Sequence, residues 1–155
     1  MLNIFVTTCS NWYFIDYQLS NEYNHLLKCI FIDTVAQIKY RSFNEEYFRK
    51  ADCFIIVYDI TNEESFEECD SYCKEAILRK CKKDVNVMLI GKKIDLENRR
   101  KIPKEEGLRF ANENNYYFRE TTCKDISTVV DAFETFIIKS FINNIYKEDI
   151  WYNNL

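Results

Sequence analysis

The chain has 155 residues, 47% hydrophobic and 16% aromatic, enough for one domain with a sizeable core and too few for two. A formal net charge of −4 gives no basis for gripping a nucleic-acid backbone, which needs Lys and Arg gathered on one face. The basic runs at 80–83 and 99–101 are short, have acidic neighbours and read as solvated loops. Seven cysteines without a Cys-x-x-Cys, and a single histidine, His25, argue against a zinc site or a Cys-His nucleophile. The cysteines read instead as small buried hydrophobes in a reducing cytosol. There is no basic leader and no run long enough to span a membrane.

In chain order, residues 2–7 are mostly apolar. Strand-like runs at 12–19 and 26–32 follow, joined by polar Ser20-Asn21-Glu22-Tyr23-Asn24, which predicts an antiparallel hairpin. From Asp52 onward short apolar runs alternate with helical patterns, the signature of βαβ units around a parallel sheet. The runs at 53–58 and 85–90 are near-continuous, as strands buried on both faces should be. Between them Thr61-Asn62-Glu63-Glu64 reads as a capping box opening a helix with Phe66, Cys69, Cys73, Ala76 and Ile77 on one stripe. Pro103 opens a second helix, which leads to a short strand at 116–119. A last helix is expected from about Ser127, with Val129, Val130, Phe133, Phe136, Ile137 and Phe141 facing the core, and residues 147–155 are expected to fray.

Several stretches carry a family resemblance. Asp33-Thr34-Val35-Ala36-Gln37, Tyr58-Asp59-Ile60-Thr61 with Ser65-Phe66, Gly91-Lys92-Lys93-Ile94-Asp95-Leu96, Glu105-Glu106-Gly107 and Glu120-Thr121-Thr122-Cys123-Lys124 occur in the order and spacing of a small GTPase. The chain resembles the Rab branch of the Ras superfamily over about residues 12–142. The resemblance implies an α/β, three-layer P-loop NTPase-like fold, a mostly parallel sheet with an antiparallel hairpin, truncated at its N-terminus. The G domain would cover 1–146, with a short tail at 147–155. It also implies GTP or GDP and Mg2+ as ligands. Asp33 would hold the water shell of the magnesium, the Ala36 amide would face the terminal phosphate, and Gln37 would orient the attacking water. Asp95 would accept from the guanine edge, a pairing whose two parallel hydrogen bonds give selectivity. Lys93 would lie along the base, and the Cys123 amide would donate to its carbonyl, with Thr122 in the same stretch and Lys124 flanking. Thr8 falls near the position of the family's magnesium-binding threonine. Rab effectors or regulators would bind the hairpin and residues 38–47, and the family's role is vesicle traffic, with cytoplasmic residence and peripheral contact with endomembranes through partners.

The departures are as informative as the matches. No Gly-x-x-x-x-Gly-Lys-Ser/Thr string occurs, so the backbone cradle for the phosphates is missing. Losing about five charge-assisted hydrogen bonds forfeits roughly 7–15 kcal/mol of nucleotide affinity if they add. Ala36 stands where the family has a glycine, and Lys92 where it has the Asn that ties the base loop to the phosphate loop. No cysteine follows Cys123, so no prenyl anchor is expected. In the family's sheet the phosphate-loop strand is central, and its loss would open two strand edges. Two readings of residues 2–7 stand side by side: a substitute central strand that crosses directly into the hairpin, or the remnant of an effector loop. For function, a degenerate G domain acting through protein partners stands beside an N-terminally incomplete product of a working GTPase. An unrelated α/β binding module is the third reading.

Overall fold

A computed structural model describes residues 2–6, 11–18, 26–33, 49, 51–72 and 85–152. Six strands form one sheet: β1 (Leu2–Val6), β2 (Asn11–Gln18), β3 (Leu26–Asp33), β4 (Cys53–Asp59), β5 (Asn86–Lys92) and β6 (Tyr117–Thr121), in the order β2-β3-β1-β4-β5-β6. Only β2 and β3 run antiparallel; the other neighbours are parallel. The described helices are α1 (Glu63–Tyr72), α2 (Lys104–Glu113) and α3 (Ile126–Tyr152), and a 3-10 segment, Ile94–Arg99, follows β5.

The sheet divides the core in two. Phe54, Ile56 and Tyr58 of β4 join Val87 and Leu89 of β5, Cys69 of α1 and Ala111 of α2 on one face. Cys53 and Ile55 join Met88, Ile90 and the α3 residues Ala132, Phe136 and Ile137 on the other. Period-two alternation with both sets buried explains why β4 and β5 read as unbroken apolar runs.

Residues 2–6 settle the open question at the N-terminus. β1 lies between β3 and β4, paired in parallel with both; Phe5 is opposite Ile32 on one side and Phe54 on the other. The substitute-strand reading therefore holds. Val6 and Asn11 are both in register with Asp33, one on each side of β3. Val6 and Asn11, with four residues between them, thus lie two strand spacings, about 10 Å, from each other.

Three local expectations change. The cap of α1 is Asn62, whose Oδ1 accepts from the Ser65 N–H at 3.4 Å, because Thr61 is drawn away to Asp59. Val130 is exposed rather than core-facing, since the buried stripe of α3 runs through Ala132, Phe136, Ile137 and Ser140 and leaves Val130 at its margin. The segment expected to fray is helical to Tyr152, with no Gly or Pro between Ile126 and that residue to break the ladder.

Candidate functional site

β5 and β6 end side by side, with Lys92 in register with Thr121, so the loops that follow them rise from the same edge of the sheet. Lys93 takes the left-handed conformation, φ 70° and ψ 36°, and turns the chain into the 3-10 segment, where the Leu96 N–H donates to the Lys93 carbonyl at 2.8 Å. Such a conformation is uncommon for a residue with a Cβ. The side chain compensates by reaching back to the end of β4, where its ammonium pairs with Asp59 Oδ2. Asp59 Oδ1 accepts from the Thr61 N–H at 2.9 Å and the Thr61 hydroxyl at 2.7 Å. Burial works against the charged carboxyl, but the Lys93 ammonium and the Thr61 donors outweigh it and hold the pKa at about 2.

The second half of the site is built on the turn after β6. Asp125 caps α3, accepting from the Ser127 N–H at 3.0 Å and hydroxyl at 2.6 Å, and the Thr122 N–H donates to Thr128 Oγ1 at 3.1 Å. The turn so fixed presents the Thr122 hydroxyl to Asp95 Oδ1, to which it donates at 2.6 Å while accepting from the Lys124 N–H at 3.1 Å. The Lys124 ammonium pairs with Asp95 Oδ2 at 3.0 Å. The Thr122 hydroxyl and then Lys124 hold the Asp95 carboxyl below the ordinary carboxylate range. Behind this turn the Arg100 guanidinium forks onto Glu120, at 2.7 and 3.2 Å, and binds Glu97 through Nε at 2.8 Å. It fastens the end of the 3-10 segment to β6 and so fixes the distance between Asp95 and Thr122.

Of the candidate residues named from sequence, the structure brings together Lys93, Asp95, Thr122, Cys123 and Lys124. Cys123 is exposed at the tip of the turn. Asp33 ends β3, with β1 and β4 between it and this cluster. Thr8, Ala36 and Gln37 lie outside the described residues, as do residues 38–47. Asp59 and the Arg100–Glu120 pair carry structural weight that sequence reading did not assign; Asp59 stands in the quoted Tyr58-Asp59-Ile60-Thr61 motif, but its partner, Lys93, comes from the turn after the next strand.

A carboxylate beside a flanking lysine can read adjacent N–H donors on a planar base once the lysine moves aside. Lys124 is 74% exposed, so a ligand displaces its ammonium from Asp95 at little cost. The phosphate end does not fit a triphosphate in the same way. An eight-residue phosphate loop is longer than the four residues between β1 and β2.

The model of the Ras family matches residues 7–142. The chain belongs to the Ras family of small GTPases. It is 37% identical over 118 residues to "GTP-binding protein ypt3" of Schizosaccharomyces pombe, covering 76% of this chain and 55% of that protein. It is 42% identical over 106 residues to "Ras-related protein Rab-2B" of Dictyostelium discoideum, covering 66% and 50%. To "Ras-like protein 1" of Saccharomyces cerevisiae it is 37% identical over 106 residues, 68% of this chain and 34% of that protein. The chain thus spans about half the length of the ypt3 and Rab-2B proteins. The matched segment of this Ras-family chain begins at residue 7, so β1, the central strand, lies outside it.

Proposed function

We propose that this chain is a Rab-like G domain that binds GTP weakly or not at all, does not hydrolyse it efficiently, and acts in vesicle traffic through protein partners. The observation that carries the reading is the four-residue connection from β1 to β2, too short for a phosphate loop. The partner surface would be the β2–β3 hairpin together with residues 38–47. Kinship with Rab and Ypt proteins supports the trafficking role.

A second reading is favoured by the intact base-side network and by the half-length coverage of relatives. It is that the 155 residues are the incomplete product of a GTP-binding, GTP-hydrolysing Rab in which Asp33, Ala36 and Gln37 serve the phosphates, Mg2+ and water. A titration with fluorescent GDP and GTP in the presence of magnesium separates the two. The first reading expects no tight saturable binding from a chain that nevertheless melts cooperatively. Tight, guanine-specific binding that disappears in Asp95→Ala would overturn it.

A further inference from the structure

We infer that Glu120 is a two-position switch: its carboxylate sits on Arg100 in a closed state and on the Tyr58 hydroxyl in an open one, so the fastening between the 3-10 segment and β6 opens without stranding a buried charge.

The register of the sheet sets up the second position. Tyr58 of β4, Gly91 of β5 and Glu120 of β6 lie side by side in one row, and neighbours in a row share a face of the sheet. The middle residue has no side chain, and the Tyr58 ring takes the room, its hydroxyl standing 2.8 Å from where a Gly91 Cβ would be. Glu120 is next in the row, one strand spacing further on, about 5 Å. Gly107 of α2 faces the same hydroxyl from the helix side, again without a side chain. The hydroxyl is buried and has no hydrogen-bond partner among the described residues. Burial and, after it, the charge of Glu120 hold the phenol above its ordinary range. An unpaired buried donor costs the closed state. When the Glu120 side chain turns along the row, that donor makes a charge-assisted bond.

Arg100 is equipped for the same exchange. Besides its fork on Glu120, it donates through Nε to both Glu97 oxygens, at 2.8 and 2.9 Å, and the Glu97 side chain is 68% exposed. The guanidinium therefore leaves Glu120 without losing every partner. It also has somewhere to go, because Arg100 and Glu120 line a cavity of 740 Å³ together with Glu97, Lys101, Lys104 and Glu105. Three cations there face three carboxylates, a balance that selects no ligand charge and leaves the cavity as room for the released side chain. In the open state Arg100 stays with Glu97 at the rim and Glu120 with Tyr58 inside. That state is the minor one, since Glu120 exchanges two bonds to a guanidinium for one to a phenol.

The test uses the full 155-residue chain. Denaturant unfolding of Arg100→Ala, Tyr58→Phe and the double variant measures the coupling. Tyr58→Phe alone is expected to raise the midpoint. Arg100→Ala is expected to lower the folding equilibrium constant, and to lower it about tenfold further when residue 58 is already Phe, because Glu120 then has neither partner. A second readout keeps Arg100 in place: relaxation dispersion at the backbone amides of Gly91, Arg100 and Glu120. Microsecond-to-millisecond exchange is expected there in the unaltered chain and is suppressed in Tyr58→Phe. Losses that add within about twofold, or exchange that is absent or indifferent to Tyr58→Phe, would overturn the inference. Neither result bears on nucleotide binding, so the proposed function stands or falls separately.

Discussion

Tyr58 shows how one residue dictates the chemistry of two others. Its ring lies edge-on to Phe66 with centroids 4.9 Å apart, and its hydroxyl is fully buried without a hydrogen-bond partner among the described residues. Burial, and then Glu120, push the phenol pKa well above its ordinary value. The chain has two glycines, and both face this hydroxyl: a Cβ on Gly91 would come within 2.8 Å of it and one on Gly107 within 2.4 Å. Tyr58→Phe removes an unsatisfied buried group and should stabilise the fold by about 1 kcal/mol in denaturant unfolding. Gly107→Ala should cost about 1–3 kcal/mol despite the better helix propensity of alanine, since the new methyl also meets the Phe118 ring at 2.9 Å. In the Tyr58→Phe background that cost should shrink, and a double-mutant cycle measures the coupling. Asp59 gives the pH counterpart. Its carboxyl is depressed from 3.8 to about 2 on folding, so its contribution is whole above pH 4 and is lost as pH falls towards 2. The loss is on the order of 2 kcal/mol, and Asp59→Asn should flatten that part of an acid-unfolding curve.

At the scale of elements, the site depends on a fastening that touches no candidate ligand. Arg100 and Glu120 have side chains only 14% and 9% exposed, and the fork between them joins the 3-10 segment to β6. Arg100→Ala should cost about 3 kcal/mol, because it strands the Glu120 carboxylate in a poorly hydrated place. Arg100→Lys should not restore the loss, since a lysine cannot make the two-pronged contact. Thermal or denaturant melts of the two variants check both statements. This dependence also explains which parts of the molecule the sequence made legible. β4, β5 and the stripe of α3 follow from apolar periodicity, and the base loops follow from short motifs whose residues are neighbours in the chain. The Lys93–Asp59 and Arg100–Glu120 pairs each join a residue flanking the 3-10 segment to a strand distant in the chain, so no local pattern announces them. The cap of α1 is hidden for the same reason: Thr61 and Asn62 are both good caps by residue type, and the choice is made by Asp59, which claims Thr61. Val130 fits the apolar pattern yet is exposed, because that pattern alone does not show where the buried stripe ends.

For the molecule as a whole, the central position of β1 is the decisive property. An edge strand tolerates proline because half of its backbone donors face solvent; a strand paired on both sides does not. Phe5→Pro should therefore cost about 3 kcal/mol or more, shifting the midpoint of chemical denaturation sharply. Loss within a few tenths of a kcal/mol would mean that residues 2–6 are peripheral. A consequence lies in the order of assembly. β1 leaves the ribosome before both of its partners, and the farther one begins only at Cys53. The antiparallel hairpin can form from local contacts, whereas β1 must wait for both neighbours and close two long loops at once, the slow kind of pairing in folding kinetics. The strand that completes the sheet is thus made before either of its partners and locked after both, and a nascent chain interrupted before β4 holds it unpaired on one side.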